Sequence, residues 1–455
     1  MFGPWRSDFV QVKMMTIRKS QLFNYSFSLI LCELSESVLL FSGVFLFAFG
    51  QGEAIGVIGL LDTFLLCCFA IGNALADSYH NFYARTKHHS RLPLAKGVFN
   101  RSIRIFLGQG LKVFVLTALL GALLSGWMSS DSIEMLLGSL PFLLLLVLVF
   151  FLGLSHHALL VGMGQLKTVG VLALISIVLN TSLVLSFQVL GWDSLDPVKI
   201  VLLSGIISEM VWVILLRIQV YRWFRAVPRS PRKSLRVDRV VIKAAFLPGL
   251  SVFFFYLFTY LFMGYLTICC ASAELMYFSM VFALWSVMMA PANGVYEAAL
   301  HLFSKEWSSG NLERFEATKR AVTTLSFLLS LGVFFSLSWV LIYTMPEDRY
   351  LLLILGLLPG LALLNSQTKF GFLSLFVQLK IARFSRLKVL YALLIFVFMG
   401  LGYFLFELNT LNLIISLVLG QIVLCLLLTQ KKNWKNWLLP QFATFPLIKS
   451  DLYRT

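Results

Sequence analysis

The sequence predicts an all-α polytopic membrane protein: twelve transmembrane helices in two six-helix bundles related by a parallel repeat, with the N and C termini cytoplasmic. Three observations carry this. Of 455 residues, 59 % are hydrophobic and 13 % charged, about half the charged share of a soluble domain. Apolar runs of about 20 residues, enough to cross roughly 30 Å of hydrocarbon as helix, recur along the whole chain. The polar landmarks of the first half return in the second at an offset of 220 positions.

Long apolar runs such as "LPFLLLLVLVFFLGL" exclude a transmembrane barrel, whose strands alternate. Helices satisfy every backbone hydrogen bond without water. Breaks at charges, Gly, Pro and Asn place helices near 22–50, 54–84, 103–128, 132–160, 168–190 and 197–219, then 240–268, 276–304, 320–345, 348–378, 388–408 and 411–429. The domain plan follows: an interfacial N-terminal arm (1–21), a six-helix bundle (22–219), a basic cytoplasmic linker (220–239), a second six-helix bundle (240–430) and an amphipathic cytoplasmic tail (431–455). The arm lacks the apolar core and cleavage site of a signal peptide. The tail, with "KKNWKNWLLPQF", has the Trp and Lys mixture favoured at lipid headgroups.

A net charge of +16 raises the question of nucleic acid, but 34 of the 37 Lys and Arg fall in the termini and in one alternate set of loops or beside them. The others are Lys112, Lys199 and Arg349, and the opposite loops are short and mostly acidic. Positive charge is retained on the cytoplasmic side. The expected location is therefore the cytoplasmic (inner) membrane, with lipid and a small-molecule substrate as partners, no nucleic acid, and a monomeric chain. The six cysteines, Cys32, Cys67, Cys68, Cys269, Cys270 and Cys425, lie within or at the end of predicted spans. Without clustered His and Asp they read as packing residues, so neither a metal nor another cofactor is expected.

The longest polar interval, Arg217 to Lys243, separates the halves. The offset of 220 places Asn73 on Asn293, Asp77 on Glu297 and Arg85 on Lys305. Six helices are an even number, so both halves start on the same face. The repeat axis then runs along the membrane normal, as in transporters whose two bundles rock about a central site.

Four stretches resemble the multidrug and toxic-compound extrusion (MATE) family, within the wider group that includes lipid-linked oligosaccharide flippases. "FGQGEAIGVIGL" resembles the turn into helix 2, and "LVGMGQLKTVGVLALISIVLN" the turn into helix 5, ending at Asn180. "LPGLSVFFFYLF" resembles the opening of helix 7, and "FSMVFALWSVMMAPANGVYEAALHLFSKEWSSGNLERF" helix 8 with its loop. The resemblance implies a secondary active transporter, not an enzyme, that exports small organic compounds, cationic or amphipathic, by alternating access against protons or sodium. The chain also departs from the pattern. The proline and coupling aspartate that relatives carry in helix 1 match Ser28 and Gly43, and the acids found in helix 5 or helix 7 of some relatives match Val184 and Tyr256.

A carboxylate at mid-bilayer costs roughly 2.5–3.5 kcal/mol on insertion scales, so each one calls for a partner, a cavity or a function. Glu33 and Glu36 lie about 11 and 14 residues into helix 1, roughly 16 and 21 Å from its start, on one helix face. Two close carboxylates cannot both stay ionised cheaply at low dielectric, which suits proton exchange or a cationic substrate. The plain alternative is a structural pairing with Lys112 or with helix 1 serines. Asp62, roughly 12 Å below the outer end of helix 2, is a cavity candidate or a hydrogen-bonded structural acid. Glu209, three residues before Trp212, could face an organic cation by charge and cation–π attraction, or a polar group of helix 5. Asn180, Tyr256, Trp285 and Gln367 are further cavity candidates.

Counted from the outer end of helix 2, Asp77 falls roughly 34 Å along, at the cytoplasmic interface. With Asn73 one turn away, Arg85 two turns on, and the repeat mates Asn293, Glu297 and Lys305, it reads as an inner-gate latch between symmetry-related helices, or as a static interfacial salt bridge. His156 and His157 point about 100° apart on a helix, which suits no shared metal. The rivals are a lipid-linked saccharide flippase and a major-facilitator-type exporter, whose loop after helix 2 begins like "GNALADSYHNFYAR". An integral membrane enzyme is the rival of another class, with no metal cluster, phosphate loop or nucleophile–base pair to support it.

Overall fold

The structure is a computed structural model that describes residues 26–33, 52–88, 92–125, 130–189, 197–225, 227–228, 235–269, 272–308, 312–344, 349–378, 380–406 and 410–428. Apart from short turns they form twelve helices: α1 (26–33), α2 (Gly52–His88), α3 (Leu92–Ser125), α4 (Ser130–Gly162), α5 (Leu166–Val189), α6 (Pro197–Phe224), α7 (Leu235–Cys269), α8 (Ser272–Ser308), α9 (Leu312–Thr344), α10 (Arg349–Val377), α11 (Ile381–Phe406) and α12 (Thr410–Leu428). Nine of the described helices are long and apolar enough to cross a membrane, and the chain is a multi-pass membrane protein. The arm at 1–21, the tail at 431–455, Glu36 and Gly43 lie outside the described residues.

Several helices run further at the basic end of the bundle than hydropathy predicts. α3 starts at Leu92 rather than near 103, α9 at Leu312 rather than near 320, and α11 at Ile381 rather than near 388. Lys, Arg and Glu interrupt an apolar run but are good helix formers, so the helices continue beyond the hydrocarbon. The linker narrows for the same reason, because α6 reaches Phe224 and α7 begins at Leu235.

The turn from α4 into α5 follows from one glycine. Gly164 has φ 72°, Gln165 N–H donates to the Leu160 carbonyl at 2.8 Å and Gly164 N–H to that of Val161 at 2.8 Å. A left-handed residue just past the last turn reverses the chain while filling carbonyls that a helix end leaves open.

Outward faces are apolar as well as inward ones. Leu119, Val178, Ile214, Phe335 and Leu393 are exposed, the pattern of helices whose solvent is lipid. Inside, α2 packs against α3, α4, α7 and α8, while α4 with α6, α8 with α9, and α10 with α12 complete each half.

The halves meet through two pseudo-symmetric contacts. Gly249 of α7 lies against Ala74 and Ile71 of α2, and Gly294 of α8 against the backbone of Leu29 and Ile30 in α1. Under the 220 offset Ala74 corresponds to Gly294, and Leu29 to Gly249, so one helix contact is built twice. Gly170 of α5 presses α1 from the other side, where a Cβ would meet the Ser28 backbone at 2.8 Å. The segment that carries Glu33 is thus clasped between α5 and α8.

Candidate functional site

That clasp delivers Glu33 to the second half. Its carboxyl is hydrogen-bonded by the Asn293 side chain and lies within electrostatic reach of Lys369. Lys369, on α10, is also within reach of Asp77 and Glu297, Glu33 acts on Asp77, and both acids act on Glu297. Each half contributes to one group: Glu33 and Asp77 from the first, Asn293, Glu297 and Lys369 from the second. The Lys369 ammonium sits over the Tyr296 ring, 5.3 Å from its centroid, where the π face attracts a cation.

Among the described residues no ion pair shorter than 4.0 Å joins Lys369 to an acid, the one such contact being Arg101–Asp238. Glu297 Oε2 is shut off from solvent and takes no hydrogen bond, whereas Glu33, Asp77, Tyr296, Glu297 and Lys369 are half-buried as whole residues. Acids and an ammonium therefore lie within electrostatic reach of one another, in an interior where such charges attract more strongly than in water.

Two sequence expectations change here. Asp77 and Glu297 are not separated from Glu33 by depth. α2 and α8 are each 37 residues, about 55 Å long, longer than the roughly 30 Å of hydrocarbon. Each lies eleven residues before its helix end, at His88 and Ser308, about 16 Å along the axis. The charge partner of Glu33 is not Lys112, which is exposed on α3, but Lys369, which the sequence reading counted with the basic loop. Its signal was "SQTKFGF", a lysine within an unbroken helical stretch. The sequence reading also passed over Arg101 and Asp238. Arg101 Nε donates to Asp238 Oδ2 at 2.8 Å, and the Tyr79 hydroxyl to Oδ1 at 3.3 Å, tying α3 and α2 to the start of α7.

The other candidates lie apart from this group. Asp62 is buried in α2, and Glu209 in α6 with Oε2 lacking a hydrogen bond. Trp212 packs on His157, ring centroids 6.0 Å apart, instead of facing an open site. Asn180 and Val184 are buried in α5, Tyr256 packs beside Phe255, and Asn73 is exposed, unlike its repeat mate Asn293. The side chains of Arg85 and Lys305 lie outside the described residues. A second polar network occupies the second half: Gln421 Nε2 donates to the Tyr391 hydroxyl at 2.9 Å and Thr368 to Gln421 Oε1 at 2.8 Å. Among the described residues no three His, Cys, Asp or Glu come close enough to hold a metal ion.

The whole arrangement can be compared with solved structures. The chain is similar to MATE in complex with MaL6, with 14 % identity and a TM-score of 0.69 over 89 % of this chain and 93 % of that one. It is similar to a multidrug resistance MATE family transporter of the MOP superfamily in an outward-facing conformation, with 15 % identity and a TM-score of 0.68 over 90 % and 93 %. The chain has the MATE fold. A MOP superfamily transporter from Pyrococcus furiosus Vc1, described by a binding pocket of reverse polarity that suggests a different function, matches at 15 % identity and TM-score 0.68, again over 90 % and 93 %. No protein-family model and no curated protein matches the sequence. What identifies the MATE fold is thus the path of the helices, over nine tenths of each chain, and at this identity no residue role transfers with it.

Proposed function

We propose that this protein is a secondary active transporter that exports small organic compounds by alternating access, with proton or sodium antiport supplying the drive. The observation that carries the reading is the charged group that both halves build together inside an apolar bundle. In low dielectric such a group strongly favours the arrangement that keeps its charges near one another, and a proton or a cationic cargo alters that balance by binding there. Rocking of the halves then follows from a change in charge at one place, which is the differential interaction a conformational switch requires. Asp77 and Glu297 act in this reading as the latch between α2 and α8, and Glu33 links the latch to α1.

The orientation is that of the charge pattern, with the basic end cytoplasmic. The latch then closes the inner side, and the protein works as a monomer in the cytoplasmic membrane. The decisive experiment is uptake of a fluorescent organic cation by proteoliposomes under imposed proton or sodium gradients. The expected result is gradient-dependent transport, reduced at least tenfold by Glu33→Gln together with Glu36→Gln. Transport that ignores both gradients, or that survives the double replacement, overturns the coupling.

A second reading has an observation of its own. Lys388 of α11 lies near Lys369, with its ammonium 4.6 Å from the centroid of the Phe372 ring. Two lysines inside a bundle suit a phosphate-bearing lipid. Flipping of a short-chain lipid pyrophosphate by the same proteoliposomes, with no cation transport, favours a flippase.

A further inference from the structure

The contact between the halves at Ala74 and Gly249 is built twice, but another contact of α7 with the first half is built once. Asp238, in the first turn of α7, accepts from Arg101 Nε of α3 at 2.8 Å and from the Tyr79 hydroxyl of α2 at 3.3 Å. The 220 offset puts Leu92, where α3 starts, on Leu312, where α9 starts, yet Ala321 stands in the place of Arg101 and Ala299 in that of Tyr79. The network is therefore no part of the repeated scaffold. It crosses from the first half to the second at the basic end of the bundle, so a motion that parts the halves there pulls Asp238 away from both donors.

Its chemistry suits a bond that is made and broken. Arg101 presents Nε alone, and Nη2 is shut off from solvent without a hydrogen bond, so the pair forgoes the two-pronged geometry that makes guanidinium–carboxylate contacts strong. The Arg101 side chain is 31 % exposed and that of Asp238 8 %. Water thus reaches part of the Arg101 side chain when the carboxylate leaves, and that exposure holds the strength of the pair near that of a surface contact. A neighbouring hold is of the opposite kind. Lys96, on the same helix, donates to the Phe224 and Val227 carbonyls at the end of α6, with its ammonium 6.0 Å from the centroid of the Phe224 ring. Its partners belong to the same half, so this hold survives rocking.

We infer that Arg101, Asp238 and Tyr79 form a catch that joins the halves at the basic end in one state of the cycle and is open in the other. The inference rests on the alternating-access reading and adds to it three residues that set how much of the protein is closed at that end. A contact made in only one of two states shifts the balance between them by its own free energy. A catch of modest strength does this without locking the protein, because thermal motion and the events of the cycle can still open it.

The test is the distance across the basic end of the full-length protein in nanodiscs, read by double electron–electron resonance. Spin labels are placed at Arg222→Cys of α6 and Glu313→Cys of α9, both exposed positions, with the six native cysteines replaced by serine. A closed basic end gives the shorter distance and an open one the longer. Arg101→Gln and Asp238→Asn are each expected to raise the ratio of longer to shorter about fivefold, and the double variant to raise it no further than either alone. Tyr79→Phe is expected to raise it about threefold. Lys96→Gln is expected to stay within about twofold of the parent, because its bonds lie within one half. A ratio unmoved by Arg101→Gln and Asp238→Asn overturns the inference, as do additive shifts in the double variant. A shift in Lys96→Gln as large as theirs overturns it too, since the basic end is then loosened in general. If neither paired variant folds, an unmoved ratio in Tyr79→Phe overturns it. Two distances whose ratio ignores the network defeat this inference alone. A single distance in the parent and in every variant means that the halves do not rock, and defeats the transporter reading with it.

Discussion

Gly294 and Gly332 show what a single methyl group decides in this bundle. A Cβ at Gly294 would be driven into the backbone of Leu29 and Ile30, while nothing lies within 4 Å of one at Gly332. Backbone cannot yield as a side-chain tip can, so Gly294→Val is expected to destabilise the protein by about 2 kcal/mol or more. Gly332→Ala is neutral or stabilising by about 0.5 kcal/mol, because alanine suits a helix interior better. Thermal unfolding of both variants in one detergent checks the pair; equal melting temperatures would show that α1 does not sit against α8 at this point. The sequence marks Gly294 only as the repeat partner of Ala74, and the reason for glycine at one and alanine at the other needs the contact itself. Glu33 is a similar case. Its depth in helix 1 was legible, but its partner was not, because Lys369 is distant in sequence and was counted with a loop.

At the scale of elements, the start of α7 is held by a small buried network. Asp238 accepts from Arg101 of α3 and from Tyr79 of α2, and the Tyr83 hydroxyl donates to Ser102 at 3.4 Å beside it. Hydrogen bonds to a charged group contribute about 1.5–3 kcal/mol each, less where one partner is half-exposed as Arg101 is. Asp238→Ala is therefore expected to cost about 2 kcal/mol and Tyr79→Phe about 1 kcal/mol. In a double-mutant cycle Arg101→Ala should add little once Asp238 is gone. Full additivity would mean that the two side chains are not coupled. Because the network joins α2 and α3 to α7, its loss should also raise labelling of a cysteine introduced at the basic end of α2. Hydropathy reading assigned Arg101 and Asp238 to loops, since charge ends an apolar run without ending a helix.

For the whole molecule, the proposal that the halves rock makes the contact between Ala74 and Gly249 a test point. A Cβ built at Gly249 lies 3.1 Å from that of Ala74, so a shift of a few tenths of an ångström brings the pair into the range of about 3.5–4.5 Å found in disulfides. Ala74→Cys with Gly249→Cys is expected to crosslink on mild oxidation, stop transport, and regain it on reduction. The native Cys32, Cys67, Cys68 and Cys425 are buried, and replacing Cys269 and Cys270 by serine in the parent protein controls for the remaining thiols. Undiminished transport by the crosslinked protein would mean that α2 and α7 move as one body and that the moving boundary lies elsewhere.

Composition determined that this chain lives in a membrane and that it is helical, because hydrocarbon thickness and backbone hydrogen bonding leave few other solutions for so apolar a sequence. The 220-residue echo of Asn73 and Asp77 in Asn293 and Glu297 was likewise there to be read. Only the tertiary structure decided that Asp77, Glu297 and Glu33 belong to one group with Lys369. Which charges face each other depends on how helices from two halves cross, and that is set by glycine-sized contacts between residues more than 170 positions apart. A hydropathy profile, which weighs each residue only with its chain neighbours, does not contain it.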